Sequence, residues 1–260
     1  MRYRKIDAHN HLLGAASNPE VLLRAADQFD IELTVISIPV LGNATPKEFR
    51  ANNQRVLKAI RAHPDRLLGQ CFVDPRYRQE SLAEIDRCLD LGMIGVGELY
   101  TSAKISEPVF FPIIEKCIER RVPLTMHARA DVGLLRPGVP TSAPPSSSTP
   151  DDMVMAARRY PEAMLIEGHL GGGGDWEYAC KVLAAVANVY LETAGSVTDS
   201  GMVDFAVRCL GVERILFATD MSYETGIGKV MAAELTEAQR RRIFRDNFAA
   251  ILRQGGHHAH

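Results

Sequence analysis

Short apolar runs alternate along the chain with longer segments in which apolar residues recur every three to four positions. The short runs are typical of buried strands, and the longer segments have the period of amphipathic helices. Eight strands are predicted in this way, at 5–9, 33–38, 67–73, 94–99, 122–127, 163–169, 189–193 and 214–219. A helical segment lies between each strand and the next, and a final one follows the last strand. This alternation indicates repeated strand–helix–strand units that build a parallel sheet.

The number of repeats predicts a closed barrel. Eight β/α units in about 250 residues are typical of a (β/α)₈ TIM barrel of the α/β class. We therefore predict a single-domain barrel over 1–254 and a disordered tail over 255–260. An open doubly wound sheet is the alternative, but the sequence lacks its GxGxxG fingerprint after the first strand. The segment 129–150 is rich in Pro, Ser and Gly, and we expect it to be a substrate loop or lid at the barrel mouth.

Composition narrows the classes of partner. The 260 residues are 46% hydrophobic and 24% charged, which is enough for a substantial core. A formal net charge of −2 gives no support for a nucleic-acid or membrane partner, so we expect a small-molecule substrate. Five scattered cysteines without CxxC spacing predict reduced core residues. With neither a signal-like N-terminus nor a membrane-spanning apolar run, the sequence leads us to expect a cytoplasmic protein.

Four histidines and one aspartate lie at the C-terminal ends of predicted strands. His9 and His11 follow strand one, and they should point the same way because alternate residues of a strand share a face. His127 ends strand five, His169 ends strand six and Asp220 follows strand eight. Strand ends converge at the mouth of a barrel, so this set predicts a divalent metal site, with Zn²⁺ expected first and Mn²⁺, Fe²⁺ or Co²⁺ as alternatives. Unrelated core or surface histidines are the other interpretation.

These motifs, in this order, resemble the amidohydrolase superfamily. The similar segments are "DAHNH" at 7–11, "MHA" at 126–128, "EGHLGG" at 167–172 and "FATD" at 217–220. The short chain is similar to the amidohydrolase-related branch, which includes relatives of aminocarboxymuconate-semialdehyde decarboxylase. The resemblance implies a metal held by His9, His11, His127 and Asp220. It implies that His169 binds a second metal or contacts substrate, and relatives of this kind often form homo-oligomers.

Glu98 leaves the number of metal ions open. It ends strand four in "GVGELY", where binuclear members of the superfamily place a bridging carboxylate or carboxylated lysine. The segment is also similar to the "GEIGLD" element of TatD-like nucleases. A glutamate here could bridge two ions about 3.5 to 4 Å apart. The alternative is a structural acid paired with an arginine.

The leading hypothesis is a reaction in which metal-activated water is the nucleophile. A bound divalent ion lowers the pKa of its water to about 7 and so supplies hydroxide at neutral pH. We expect hydrolysis of an ester, lactone or amide, with Asp220 as general base and His169 as a catalytic group that stabilises the oxyanion. One alternative is non-oxidative decarboxylation of an aromatic or enoic acid, with Arg129 binding the substrate carboxylate. Others are a TatD-like phosphodiesterase and a metal-binding barrel without catalysis. Tyr100 and Tyr223 are predicted to line the substrate pocket.

Overall fold

The structure is a computed structural model that describes residues 3–129, 148–170 and 175–257. Its eight strands form one sheet in the order of the sequence. All neighbouring strands pair in parallel. The strands are β1 Lys5–His11, β2 Ile31–Ser37, β3 Leu67–Cys71, β4 Gly95–Leu99, β5 Leu124–His127, β6 Leu165–Gly168, β7 Val189–Glu192 and β8 Ile215–Leu216. Each predicted strand is therefore present, and the α/β barrel is confirmed.

Two backbone hydrogen bonds join β1 to the segment that follows β8. The Ala8 N–H donates to the carbonyl of Phe217 at 3.0 Å, and the Asp220 N–H donates to the carbonyl of His9 at 2.9 Å. The first and last strands of the chain are thus neighbours. Because both bonds lie close to predicted site residues, the seam between β1 and β8 also shapes the site.

Helices cover the outside of the barrel. They are α1 Pro19–Gln28, α2 Pro46–Ala62, α3 Arg78–Asp90, α4 Phe111–Arg120, α5 Pro150–Arg159, α6 Trp176–Leu183, α7 Met202–Leu210, α8 Tyr223–Ala232, α9 Glu237–Arg241 and α10 Asn247–Gln254. A π-helical turn at Arg242–Asp246 connects the last two. Thr45 and Thr149 begin α2 and α5 with capping boxes, each followed by proline, so these two starts follow directly from local sequence.

The core has two parts, one outside and one inside the sheet. The larger part lies between the strands and the helices. The smaller part fills the barrel with side chains such as Ile6, Leu33 and Ile166, and α10 adds Phe248 and Ile251 to it. This packing closes the inside of the barrel and leaves the C-terminal ends of the strands for the site.

Two further expectations concern the cysteines and membrane-spanning helices. Three predicted segments lie mainly outside the described residues. The five cysteines are free thiols and four of them are buried, as their spacing predicted. Over the described ranges, no helix combines the length and apolar character needed to cross a bilayer. Most of the predicted lid (130–147), the glycine run at 171–174 and the end of the predicted tail (258–260) lie outside the described residues.

Candidate active site

Four imidazoles surround one carboxylate at the C-terminal end of the barrel. Glu98, on β4, places its Oε1 2.9 Å from Nδ1 of His127 and 3.0 Å from Nε2 of His169. Its Oε2 lies 3.3 Å from Nε2 of His9 and 3.4 Å from Nε2 of His11. The two β1 rings approach each other to 3.0 Å between their Nε2 atoms. The structure thus brings together residues that the sequence places on four different strand ends.

Asp220 completes this cluster at its rim. Its Oδ1 lies 3.2 Å from Nε2 of His11, and its Oδ2 lies 3.8 Å from Nδ1 of His169. The side chain is 32% exposed, whereas that of Glu98 is 5% exposed. Asp220 is therefore the carboxylate that faces the barrel mouth. Asp220 and Met221 both adopt positive φ angles, 42° and 66°, which turn the chain sharply after β8.

A buried hydrogen-bond network fixes β1 against the end of β8. Asp7 accepts hydrogen bonds from the backbone N–H of Thr219 at 2.9 Å, from the Thr219 hydroxyl at 2.6 Å and from the Asn10 amide at 2.9 Å. Burial raises the pKa of Asp7 to about 6, although these hydrogen bonds oppose the shift. Asn10 points away from His9 and His11, as strand alternation predicts. This network therefore sets the direction of both β1 histidines.

The close approach of β4 to β5 explains the position of Glu98. Gly97 has φ 137°, and a Cβ atom here would lie 2.5 Å from the carbonyl oxygen of Thr125. Only glycine fits this backbone and this space. The two strands can therefore pack closely enough to set Glu98 against His127.

Glu192, at the end of β7, is a site residue that the sequence analysis missed. Its side chain is fully buried, and its Oε1 lies 3.1 Å from Nδ1 of His9 and 3.4 Å from Nδ1 of His169. Its Oε2 accepts a hydrogen bond from the Ala194 N–H at 2.5 Å. The available signal was an acid at the end of the otherwise apolar segment "VYLET", in the same position as the other strand-end groups.

Charges within the cluster stabilise one another. Burial lowers the pKa of His9, but Glu98 and Glu192 outweigh it and raise the pKa well above its usual value. Burial raises the pKa of Glu98, but the surrounding imidazoles, His9 first, bring it well below its usual value. The two buried carboxylates therefore favour the charged form of His9 when no metal is bound.

The donor set fits a divalent metal ion. Three groups have ligand atoms close enough to hold one: His9, His11 and Asp220; Glu98, His127 and His169; and His9, His169 and Glu192. Nδ1 of His169 is buried and has no hydrogen-bond partner among the described residues, since its contact with Glu192 lacks hydrogen-bond geometry. Imidazole and carboxylate donors suit first-row divalent ions, which would replace the protons on the rings.

Of the two predicted pocket residues, Tyr100 contacts the cluster and Tyr223 packs behind β1. The ring of Tyr100 packs on His127 with centroids 4.1 Å apart. Burial and Glu98 raise the pKa of Tyr100, and the charge of Arg129 opposes them. Tyr223 stacks on Phe29, and its hydroxyl accepts from the amide of Asn10, which points away from His9 and His11, so this tyrosine lies behind β1.

Trp176 and Lys104 both make contacts that stabilise the fold. Trp176, the only tryptophan, donates a hydrogen bond to Asp199 at 2.8 Å and packs edge-on against Phe205 of α7. Lys104 lies 3.6 Å from Asp152 on α5.

A strand-end cluster of this kind in a (β/α)₈ barrel defines a candidate metal centre. The family model for amidohydrolases matches residues 6–254, which is nearly the whole chain. The chain belongs to the amidohydrolase family. A comparison with curated protein sequences gave no match.

Solved structures share the fold at low sequence identity. 2,6-Dihydroxybenzoate decarboxylase from Rhizobium is 18% identical with a TM-score of 0.73, covering 97% of this chain and 99% of the other. A dihydroxybenzoic acid decarboxylase from Polaromonas, with bound manganese and 2-nitroresorcinol, is 18% identical with a TM-score of 0.70, covering 97% of both chains. 4-Oxalomesaconate hydratase from Rhodopseudomonas palustris is 16% identical with a TM-score of 0.67, covering 96% of both chains. At these identities the likeness shows the fold.

Proposed function

We propose that this protein is a divalent-metal-dependent enzyme that decarboxylates a small aromatic or enoic acid without oxidation. The observation that carries the proposal is an arginine, Arg129, close in the chain to the candidate metal ligands. Arg129 follows the candidate ligand His127 by two residues, and its charge acts on Tyr100, whose ring packs on that same histidine. A guanidinium in this position can bind the substrate carboxylate in a bidentate manner. Two of the three similar structures are decarboxylases of dihydroxybenzoates, which adds support.

The residues proposed to hold the metal are those predicted from the sequence. They are His9, His11, His127 and Asp220, with Glu98 and His169 as further ligands if two ions bind. A bound divalent ion would polarise substrate oxygens and offset the negative charge that develops as the carbon–carbon bond breaks. Zn²⁺ was expected from the donor set, and manganese is present in the Polaromonas structure, so we propose either ion.

In a decarboxylation, Asp220, Arg129 and Tyr100 would each have a separate role at the barrel mouth. The bond between the substrate and its carboxylate carbon breaks, carbon dioxide leaves, and the electron pair stays on the substrate carbon, which must then take up a proton. Burial raises the pKa of Asp220, but His11 and the other rings outweigh this and keep it ionised, so we assign this exposed carboxylate the relay of that proton from solvent water to the substrate carbon. Arg129 orients the carboxylate, and Tyr100 offers a flat surface to an aromatic ring. These roles use both sides of the mouth.

Hydrolysis of an ester, lactone or amide, the leading hypothesis from the sequence, has weaker support. It would use the same histidines and Asp220, so the cluster alone does not favour either reaction. The similar structures named above are two decarboxylases and a hydratase. The decarboxylase alternative therefore has the better support.

The test is to measure which product forms. The purified protein, loaded with Mn²⁺ or Zn²⁺, is incubated with hydroxybenzoates and enoic acids labelled at the carboxyl carbon, and separately with lactones and esters. We expect labelled carbon dioxide, which chelation abolishes. Arg129→Gln should raise KM for the acid, whereas Arg158→Gln, an exposed arginine on α5, should leave it unchanged. Cleavage of a lactone or ester, with no carbon dioxide from any acid, would contradict the proposal.

A further inference from the structure

Glu192 has no part in the reaction proposed above, although it is fully buried against two of the four imidazoles. We infer that Glu192 is a positioning residue that holds the ring of His9 through its Nδ1, so that Nε2 of His9 is available to the metal. The inference rests on the proposed metal dependence but not on the nature of the reaction.

The two rings lie between two carboxylates. Nδ1 of His9 lies within hydrogen-bond distance of Oε1 of Glu192, at 3.1 Å, whereas Nδ1 of His169 lies 3.4 Å from the same oxygen without hydrogen-bond geometry. Their Nε2 atoms lie at the opposite edge, 3.3 Å and 3.0 Å from oxygens of Glu98. A neutral imidazole that donates its Nδ1–H keeps its lone pair on Nε2, which is the tautomer that binds a metal there. Glu192 therefore selects the tautomer of His9 as well as its orientation.

The surroundings of Glu192 keep its carboxylate in place. The Ala194 N–H donates to its second oxygen. A Cβ atom on Gly168 would lie 3.0 Å from Oε1 of Glu192 and 3.6 Å from Nδ1 of His9, so this glycine leaves the space that the pair occupies. These contacts hold both the carboxylate and the ring that it orients.

Lys229, a buried residue of α8, fixes the turn that follows Glu192. Its Nζ donates to the carbonyl oxygens of Thr193 at 3.1 Å, Ala194 at 3.1 Å and Gly195 at 2.7 Å. These bonds hold the peptide unit that contains the Ala194 N–H, through the Thr193 carbonyl, and the two peptide units that follow it. Lys229 thus acts on the site through the backbone and Glu192, without contact to a ring.

The experiment compares Glu192→Gln with Glu167→Gln. Glu167 lies on the neighbouring strand β6, is equally inaccessible at 2% exposed, and has one oxygen without a hydrogen-bond partner in the described part of the chain. The same change at Glu167 therefore controls for altering a buried carboxyl. Two quantities are measured: the affinity for Mn²⁺ by competition titration, and the ring ¹⁵N resonances of His9. The resonances are recorded with Zn²⁺ bound and, without metal, at a pH where the rings are neutral.

We expect Glu192→Gln to weaken Mn²⁺ binding by about 10- to 100-fold and to remove the Nδ1–H form of His9. Glu167→Gln should stay within about twofold of the wild type, because the carboxyl it replaces orients no ring. Lys229→Met should cause a smaller loss in the same direction as Glu192→Gln. If Glu192→Gln does not fold, the wild-type ring resonances and Lys229→Met decide.

Four results would overturn the inference. They are unchanged affinity and tautomer in Glu192→Gln, equal losses in both glutamine variants, an Nε2–H form of neutral His9 in the wild type, and loss of one whole metal equivalent with the tautomer retained. The last result would make Glu192 a direct ligand. A wild type that binds no metal would refute the proposed function, while the metal-free resonances would still test the positioning role.

Discussion

The two carboxylates that face the imidazoles from β4 and β8 differ in how much solvent reaches them. Glu98 is enclosed by four rings, whereas Asp220 approaches His11 from the rim and stays about one-third exposed. A carboxylate surrounded by imidazoles can hold or bridge metal but cannot reach a substrate. A carboxylate at the rim can hold metal and can also reach a substrate. The proton transfer is therefore assigned to Asp220.

At this scale we predict that Asp220→Asn lowers turnover by about 10²- to 10⁴-fold, because an amide cannot exchange the required proton. Metal content, measured on the purified variant by elemental analysis, should stay near the wild-type value, since the four imidazoles and Glu98 remain. Asp65→Asn, at an exposed position between α2 and β3, is the control and should retain full activity. Wild-type turnover in Asp220→Asn would refute the proton role.

Helix α8 can pack closely on the segment after β8 because Gly226 has no side chain. A Cβ atom on Gly226 would lie 2.5 Å from the carbonyl oxygen of Ala218, so α8 packs directly on the backbone that precedes Asp220. Gly228, two residues further, has no heavy atom within 4 Å of its would-be Cβ position. The two glycines therefore differ in function although both lie in the same helix.

We expect Gly226→Ala to lower the free energy of unfolding by about 1–3 kcal/mol, because the added methyl group has no space. Gly228→Ala should raise it by roughly 0.5–1 kcal/mol, because alanine loses less conformational entropy in a helix. Urea unfolding of the two variants beside the wild type measures both effects. Shifts of the same sign in both variants would show that α8 does not pack as described.

A second element-scale contact joins α2, α3 and the segment after β3. Asn53 donates to the carbonyl of Phe72 at 2.9 Å and to Glu84 at 3.1 Å, and Arg87 contacts Glu84 at 2.6 Å. Burial raises the pKa of Glu84, but Arg87 and Asn53 reverse this and leave it below its usual value of 4.5. The ionised form of Glu84 therefore stabilises the folded state.

The sign of this shift predicts a pH dependence. Glu84→Gln should be less stable than the wild type at pH 7 by about 1–3 kcal/mol. The wild-type advantage is present above pH 4.5 and should shrink as the pH falls below that value, since the unfolded chain then binds a proton that Glu84 in the folded state does not yet bind. Urea unfolding of both proteins between pH 7 and about pH 3 tests this. A constant difference over that range would contradict the assignment.

At the scale of the whole molecule, the site exists only when the barrel is complete. Its ligand candidates come from β1, β4 and β5 and from the segments after β6 and β8, so an unfolded chain cannot present them together. Metal binding must therefore favour the folded state.

We predict that Mn²⁺ or Zn²⁺ raises the unfolding temperature in a concentration-dependent manner. At a free metal concentration 100 times the Kd, the expected stabilisation is about 2.7 kcal/mol. His127→Ala should reduce this effect, while His63→Gln, at the end of α2, should keep it. An unfolding temperature that does not change with metal, over a range in which metal binds, would contradict a site confined to the folded barrel.

The sequence predicted the barrel because each strand carries a compact apolar run, and the cluster because His9, His11, His127, His169 and Asp220 all end such runs. It predicted one helical segment after the last strand, where the structure has α8, α9 and α10, and Gly226 and Gly228 weaken the helical pattern of the first of these. Glu192 was missed because a single acid in "VYLET" has no partner within the local sequence. Its role depends on rings supplied by β1 and β6, and only the folded chain brings these together.

The seam between β1 and β8 also has a consequence for biosynthesis. His9 and His11 leave the ribosome early, whereas Asp220 emerges when the chain is nearly finished, because the two sides of the seam lie at opposite ends of the polypeptide. A nascent chain therefore waits for its eighth strand before it can retain the ion with a full set of donors. A chain that stops before residue 220 would carry all four histidines of the cluster but never the finished centre.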